Sequence, residues 1–209
     1  MYRHVSVILL FVCLLAIVGC ATLFSKQEWS ENYTQLEGVR ATNPAMIDGN
    51  VKTAGETVFP ESVYVAASPP SEAIITLPEK KLIRRVVVYS DNLKTFDIFA
   101  DKGGIGLQQT DWQLIKEVKS APKSPISLML PLNFKTDQIR IRVLSTTDDA
   151  EVRRKQRART GGRFYSTGNR RAVAKIYEVE LYGYKSTADA QAQAAVEAQE
   201  DELDQLLKQ

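Results

Sequence analysis

The sequence has few of the side chains that most often carry enzyme chemistry. Its single histidine is His4, and its two cysteines, Cys13 and Cys20, lie within the same first 20 residues. From residue 21 onward the chain therefore has neither an imidazole nor a thiol. This excludes Ser-His-Asp triads, Cys-His dyads, zinc sites built on His or Cys, and disulfides from that part of the chain. Carboxylate chemistry, oxygen-ligated cations and binding without chemistry remain.

The N-terminal residues have the pattern of an export signal. Arg3 is followed by a nearly unbroken apolar run of 14 residues, Val5 to Val18. A helix that crosses a membrane needs about 20 apolar residues. A shorter run with a basic start and small residues after it predicts a secretory signal peptide. The run alone leaves open an ordinary signal peptide that contains an incidental cysteine.

The end of the run, Ile17-Val18-Gly19-Cys20, resembles the bacterial lipobox. The resemblance implies that residues 1–19 are removed and that Cys20 becomes the acylated, palmitate-bearing first residue. Two or more acyl chains hold a protein stably at a membrane. Residue 21 is Ala and not Asp, the residue that resembles an inner-membrane retention signal in Gram-negative lipoproteins. The expected location is therefore the outer membrane of a bacterial envelope.

After a tether at 20–36, residues 37–185 alternate short β-type runs with Gly, Pro, Asn and Asp breaks. In Ile139-Arg-Ile-Arg-Val143 the apolar residues fall on one face and the arginines on the other, and Tyr177, Val179 and Leu181 are expected to share a face. Many short strands without a helical period predict one antiparallel β-sandwich. The predicted strands are 73–77, 82–89, 95–100, 112–118, 126–130, 139–143 and 174–184.

The last 24 residues, 186–209, are rich in Ala, Gln and Glu and contain neither Gly nor Pro. Six acidic residues stand against the single base Lys208, so the segment carries a charge of −5. This composition predicts a helical tail. The pattern leaves two interpretations open, a frayed solvated tail and a helix that docks on a partner.

Five motifs in chain order connect the predicted sandwich to a known family. They are Asn43–Thr53 with its Asp-Gly pair, Ile75–Pro78 with Leu82–Val88, Phe96–Phe99 with Trp112, Gln138–Val143, and Ile176–Gly183. Together they resemble the discoidin family (coagulation-factor C-type, or galactose-binding-like, domains). The resemblance implies an all-β fold, an eight-stranded jelly-roll β-sandwich. Histidine, common in the sugar pockets of the family's carbohydrate-binding modules, is absent, so no particular ligand is implied.

The first of these motifs predicts a cation site. Asp48, Asn50 and Thr53 supply three oxygen ligands within six residues, and Gly49 permits a tight turn. Ca²⁺ takes six to eight such oxygens from flexible loops. The resemblance adds Glu178 and backbone carbonyls from about Ala45, Asn50 and Tyr177, and it implies a bracing Ca²⁺ or Na⁺ ion. The alternative is a simple turn at 48–50 with Glu178 as a solvated strand acid.

The segment 151–171 is the most distinctive part of the sequence, with eight basic residues and one acid for a charge of +7. A loop of this length is usually functional or disordered. Arginine side chains suit bidentate contact with phosphate, sulfate or carboxylate. The candidate ligand-binding residues are Arg153, Arg154, Lys155, Arg157, Arg159, Arg163, Arg170 and Arg171, with Phe164 and Tyr165 as stacking surfaces.

Three interpretations of this segment remain open: it binds an anionic polymer, it docks an acidic protein surface such as another copy's tail, or it is a solvated loop without a dedicated partner. Its Arg-Gly-Gly-Arg character resembles RNA-binding segments, but export argues against a nucleic-acid partner. We predict a membrane-anchored, non-enzymatic module that recognises a glycan or anionic polymer. The family resemblance implies that the ligand is reached through loops 43–60, 90–95 and 145–172. The alternative is a structural accessory subunit of an envelope assembly.

An enzyme is the least favoured class. The adjacent Asp148 and Asp149 fall in a stretch that is expected to be an irregular loop. Glu178 and Glu180 are expected on one face of a strand, where paired carboxylates are more often surface acids in ion pairs. The sequence therefore predicts no acid-base pair.

Overall fold

In the computed structural model, the described residues are 28–60, 69–104, 110–159 and 171–185. The predictions for the signal peptide, Cys20, Arg163, Phe164, Tyr165, Arg170 and the acidic tail lie outside these residues. Within the described ranges, no helix is both long and apolar enough to cross a membrane.

The described residues form strands, one α-helix and two short 3-10 helices. The 3-10 helices span Tyr33–Gln35 and Pro44–Met46. The α-helix, α1, spans Asp149–Arg159. The strands are β1 (Arg40–Ala41), β2 (Gly55–Glu56), β3 (Ser71–Lys81), β4 (Arg85–Ser90), β5 (Leu93–Asp101), β6 (Trp112–Val118), β7 (Ile126–Met129), β8 (Thr136–Thr146) and β9 (Lys175–Tyr182).

The strands form two antiparallel sheets that pack face to face. The first has the order β1-β3-β8-β5-β6 and the second the order β2-β9-β4-β7. On β8, Ile139, Ile141 and Val143 are buried, while Arg140 and Arg142 lie on the outer face, because successive side chains of a strand point to opposite faces. The architecture is a jelly-roll β-sandwich, which confirms the predicted all-β fold.

The core lies between the sheets and is apolar. Its largest fully buried side chains include Phe96 and Ile98 from one sheet and Val86 and Leu181 from the other. Met46, from the second 3-10 helix, is also fully buried. A Cβ at Gly55 would lie 2.6 Å from Cγ of Met46, so the close approach of β2 to this helix requires glycine.

Helix α1 corrects the prediction that the basic segment 151–171 is a loop over its whole length. Its residues after Asp149 are mostly Arg, Lys, Gln, Glu and Ala, which favour helices by intrinsic propensity. Only Val152 and Gln156 of this stretch are half-buried, and Arg153, Arg154 and Lys155 are exposed. The apolar period that identifies most helices is therefore missing from the sequence.

Strand β9 also differs from its expected pattern. Tyr89 pairs with Glu178, but the next residue, Ser90, pairs with Ile176, so the strand contains a bulge at Tyr177. Ile176, Val179 and Leu181 are fully buried, whereas the Tyr177 hydroxyl donates to the Asp91 carboxylate at 2.9 Å. The prediction that Tyr177 shares the face of Val179 and Leu181 is therefore wrong.

Residues 30–184 form one compact unit, which begins ahead of the predicted boundary at 37. The backbone N–H of Ser30 donates to the Gly183 carbonyl at 3.0 Å, and the Gly183 N–H donates to the Ser30 hydroxyl at 3.0 Å. Thr34 is buried, and Asn32 Oδ1 accepts the Leu181 N–H at 3.0 Å. Part of the predicted tether is thus built into the sandwich.

Candidate functional site

Hydrogen bonds join the loops that the sequence predicted as one binding end. The Asn92 side-chain amide donates to the Asp148 carboxylate at 2.9 Å and to the Val173 carbonyl at 3.2 Å. Its oxygen accepts the Lys175 N–H at 2.9 Å. On the other side, Thr57 Oγ1 accepts the Ala174 N–H at 2.9 Å. Loops 43–60, 90–95 and 145–172 therefore meet around residues 173–175.

Asp149 holds together the two ends of the basic segment, where it leaves and rejoins the sandwich. Its carboxylate is 6% exposed and accepts hydrogen bonds from the Thr146 N–H at 3.1 Å, the Thr146 hydroxyl at 3.1 Å and the Ala172 N–H at 2.8 Å. Asp148 precedes the helix, and its carbonyl accepts the Val152 N–H at 3.1 Å. The expectation of an irregular loop at Asp148 and Asp149 is wrong, because both residues organise the start of α1.

The predicted cations of α1 lie in solvent. Arg153, Arg154, Lys155 and Arg157 are all exposed. Lys155 pairs with the Glu151 carboxylate at 2.7 Å, one helical turn away, so this acid offsets one cation of the helix. Arg153 and Arg157 are four residues apart and lie on the same side of the helix. The exposed part of α1 therefore keeps a net positive charge.

Arg171 lies where the basic segment returns to the sandwich, next to Ala172. It is half-buried, and its Nη1 atom is buried without a hydrogen-bond partner. Arg159 is the last residue of α1. Arg171 therefore lies next to the residue whose N–H bonds to Asp149, at the start of α1.

The three oxygen-bearing residues of the predicted cation loop converge. Asp48 Oδ1 accepts the Asn50 N–H at 2.8 Å, and Oδ2 accepts the Thr53 hydroxyl at 2.5 Å. The same hydroxyl lies 3.0 Å from the Asn50 carbonyl oxygen. A carboxylate, a hydroxyl and a carbonyl oxygen are thus within reach of one another, as the predicted site requires.

Glu178 lies beside this loop and is 2% exposed. One carboxylate oxygen accepts the Gly49 N–H at 3.0 Å, and the other accepts the Gln35 side-chain amide at 3.4 Å. Burial raises the pKa of Glu178 to about 7, and the nearby charge of Asp48 adds to the increase. The alternative interpretation of Glu178 as a solvated acid is wrong.

The chemistry of these donors fits a hard cation. A cation between Asp48 and Glu178 would favour the ionised form of Glu178, which burial now disfavours. No group of three or more His, Cys, Asp or Glu side chains clusters in the described part of the chain. Hydroxyl and backbone oxygens would therefore have to complete the ligand set.

Two residues of this end of the sandwich have no signal in the sequence. Gln35 donates from one amide to both the Ile47 carbonyl, at 3.3 Å, and Glu178, at 3.4 Å. Asn92 connects the 90–95 loop to the base of α1. Single amides of this kind follow no periodic pattern, so only the folded arrangement identifies them.

Comparison with known proteins places the fold. No protein-family model matches the sequence, and no curated protein matches it. Chitosan-binding module 1 of a chitosanase/glucanase from Paenibacillus sp. IK-5 superposes with a TM-score of 0.50 at 10% identity, over 74% of this chain and 100% of that one. The domain has the jelly-roll fold of a carbohydrate-binding module.

A second solved structure agrees with this assignment. Truncated AlyQ, which contains CBM32 and alginate lyase domains, has a TM-score of 0.50 at 13% identity and covers 78% of this chain and 35% of that one. At such identities the similarity establishes the fold alone. The five motifs that resemble the discoidin family are thus carried by a sandwich of the expected type.

Proposed function

We propose that this protein is a membrane-anchored, non-enzymatic module that binds an anionic glycan polymer at the end of the sandwich that carries α1. The observation that supports it best is the exposed cationic helix, whose first residue, Asp149, bonds both to Thr146 at the end of β8 and to Ala172, where the basic segment returns to the sandwich. Because Asp149 holds the start of α1 in place, Arg153, Arg154 and Arg157 are presented on one ordered helix, which reduces the entropy lost on binding.

The charge distribution favours a polymer with repeated anionic groups. Arginine binds carboxylate, sulfate or phosphate through a planar pair of donors. Glu151 pairs with Lys155, and the exposed Arg153, Arg154 and Arg157 give the helix a net positive charge. One structural neighbour is described as a chitosan-binding module, so polysaccharide recognition occurs on this fold.

The carboxylates of this end are better suited to structure than to acid-base catalysis. Asp149 accepts three hydrogen bonds, and Glu178 is bonded to Gly49 and Gln35. A general acid or base must reach the proton that it transfers within hydrogen-bond distance. Both carboxylates already direct their oxygens at the protein, which supports a binding role.

The experiment is a binding titration of the full chain, in a detergent without sugar headgroups, against alginate as the anionic polymer and dextran as the neutral one. The test variant is Arg153→Gln/Arg154→Gln/Arg157→Gln. The matched control is Lys80→Gln/Lys102→Gln/Lys135→Gln, which removes the same charge from exposed positions near the end of β3, after β5 and before β8, at the end of β8 opposite to α1.

We expect alginate binding that weakens with salt, because exposed charges are screened, and a loss of about tenfold or more in the α1 variant. The control variant should keep the affinity within about twofold. Equal losses in the two variants would mean that only net charge matters and would overturn the role of α1.

Membrane attachment is part of the same proposal. Cys20 would carry the lipid and Ala21 would direct the protein to the outer membrane, on the sequence pattern of residues 1–21. Lipid burial contributes about 0.8 kcal/mol per methylene, so two or more chains give stable attachment. The sandwich would then be held at the surface of a membrane.

We further propose that the loop at 48–53 holds a Ca²⁺ or Na⁺ ion. Asp48, Asn50, Thr53 and Glu178 would hold it, with backbone carbonyls from the same loop. The cation would supply charge compensation to the buried carboxylate of Glu178 and would brace the loop that leads into β2. Its role is structural and involves no reaction step.

A further inference from the structure

The outer face of the five-stranded sheet carries a cluster of arginines and aromatic rings, midway along β8. We define the outer-face cluster as Phe99, Trp112, Arg140, Arg142 and Asp97. Phe99 pairs directly with Arg140, and Asp97 pairs with Arg142, across β5 and β8. Trp112 begins the neighbouring edge strand β6. Side chains that share a face and a register position contact one another, so this cluster follows from the sheet itself.

Arg140 lies between two rings and has unused donors. Its guanidinium carbon is 4.4 Å from the ring centre of Trp112 and 4.7 Å from that of Phe99. Its nearest carboxylate oxygen, on Glu72, is 3.8 Å away, which is too far for a hydrogen bond. Its Nε atom is buried without a partner, and the guanidinium makes no hydrogen bond to any residue that the structure describes.

Arg142 provides the contrast within the cluster. It also stacks on Phe99, at 4.6 Å, and its Nε atom is likewise buried without a partner, but its Nη2 atom donates to the buried carboxylate of Asp97 at 2.8 Å. Arg140 is the more desolvated of the two, with 20% of its side chain exposed against 38%, and burial lowers its pKa. A desolvated cation without a hydrogen bond carries a free-energy cost. A ligand that accepts hydrogen bonds from Arg140 would reduce this cost.

The charges beside Arg140 select the class of ligand. Asp97 and the neighbouring Glu72 balance Arg142 and Arg140, so the cluster together with Glu72 has no net charge. A ligand with closely spaced charges, such as an acidic peptide, would meet these two carboxylates. A sugar with one carboxylate and several hydroxyls would satisfy Arg140 and also donate to Glu72. Trp112 is only half-buried beneath Arg140, so its indole offers further apolar surface for a sugar ring.

We propose that the outer-face cluster is a second glycan subsite, in which Arg140 binds the carboxylate of a uronate residue and Trp112 packs against its ring. Leu114, paired with Phe99 on β6 and 47% exposed, leaves this part of the sheet open to solvent. The subsite uses none of the α1 arginines. Its success or failure is therefore separate from that of the proposed α1 site.

Fluorescence of Trp112 tests the proposal directly, because the chain has only two tryptophans. In the full chain with Trp29→Phe, Trp112 is the sole tryptophan and reports binding at the cluster. The titrant is oligogalacturonate with EDTA present, so that Ca²⁺ does not bridge carboxylates. Its methyl ester, which has the same sugar without the charge, is the matched ligand control.

We expect a saturable change in Trp112 fluorescence with oligogalacturonate and at least tenfold weaker binding of the methyl ester. Arg140→Gln, in the Trp29→Phe background, should weaken oligogalacturonate binding about tenfold. Glu72→Gln should tighten it about threefold, because it removes the competing carboxylate. A general loss of stability would not weaken the affinity in Arg140→Gln and strengthen it in Glu72→Gln.

The α1 variant Arg153→Gln/Arg154→Gln/Arg157→Gln should leave the Trp112 titration unchanged. The absence of a fluorescence change, equal affinity for the methyl ester, or tighter binding of oligoglutamate would overturn the proposal. Loss of the signal in the α1 variant would also overturn it, since the subsite would not be independent. If Arg140→Gln does not fold, Glu72→Gln provides the test. Unchanged or weaker oligogalacturonate binding by Glu72→Gln would then overturn the proposal.

Discussion

The carboxylate of Asp149 accepts a hydrogen bond from the backbone N–H of Ala172 at 2.8 Å, which joins two positions 23 residues apart. The same carboxylate binds the backbone and hydroxyl of Thr146, at the end of β8. The basic segment thus leaves and rejoins the sandwich at one buried acid. This contact determines where the α1 arginines are presented, although Asp149 is itself 6% exposed and offers little surface to a ligand.

Replacing this acid should destabilise the domain. Asp149→Ala removes the acceptor for two backbone N–H groups and one hydroxyl, and Thr146 is 3% exposed, so water does not readily replace it. A buried donor left unsatisfied costs about 1–3 kcal/mol. We expect a loss of about 2–3 kcal/mol in the free energy of unfolding, measured by urea denaturation of the full chain.

Glu151→Ala is the matched control for this experiment. Glu151 is also acidic and also lies in the first turn of α1, but it is exposed. Its pair with Lys155 should contribute little to the free energy of unfolding, because water and salt screen an exposed ion pair. Equal losses from the two substitutions would show that helix charge, and not the buried anchor, accounts for the effect.

The buried acid of the cation loop predicts a dependence of stability on pH. The folded-state pKa of Glu178, about 7, lies above the ordinary value of 4.5. The folded chain therefore holds this proton to higher pH than the unfolded chain does. Its contribution to stability is complete below about pH 4.5 and is lost as the pH rises through about 7, by about 3 kcal/mol in total.

Glu178→Gln removes this titration and keeps an oxygen that accepts the Gly49 N–H. In EDTA, the melting temperature of the wild type should fall from pH 5 to pH 8 relative to that of Glu178→Gln. Parallel curves for the two proteins would show that Glu178 does not titrate in this range.

The strands were the most predictable part of the chain, because alternation of buried and exposed residues appears directly in the sequence. Ile139 and Ile141 with Arg140 and Arg142 on β8 show this pattern, and β6 has the predicted bounds, Trp112–Val118. The alternation fails at Tyr177, where the bulge inserts one residue. A bulge is set by the partner strand, here at Tyr89 and Ser90, so one strand's pattern does not show it.

Elements held by polar contacts were harder to predict. Helix α1 buries almost no apolar surface, and its anchor Asp149 depends on Ala172, 23 residues later in the chain. Of the cation loop, Asp48, Asn50 and Thr53 are near neighbours in sequence, but Glu178 was added only through the family resemblance. Gln35 reaches Glu178 across 143 positions, and a single amide gives no advance sign of such a contact.

Calcium should stabilise the domain through the loop at 48–53. We expect Ca²⁺ to raise the melting temperature of the wild type at pH 7.5 and to reduce its pH dependence, because a cation favours ionised Glu178. Asp48→Ala should abolish the rise in melting temperature. Glu37→Ala removes an exposed acid outside the loop and should retain it. Loss of the calcium effect in both variants, or no effect in the wild type, would contradict the cation proposal.

Two substitutions at the predicted lipidation site separate attachment from sorting. Cys20→Ser removes the thiol that would be acylated, so the protein should leave the membrane fraction and its acyl mass should disappear from the mass spectrum. Ala21→Asp keeps Cys20 but introduces the residue associated with inner-membrane retention, so the lipidated protein should move to the inner-membrane fraction of a density gradient. Ala21→Asn, of similar size without the charge, should stay with the outer membrane. Membrane attachment of Cys20→Ser after a carbonate wash would contradict the lipid anchor, whereas an unmoved Ala21→Asp would contradict only the sorting signal.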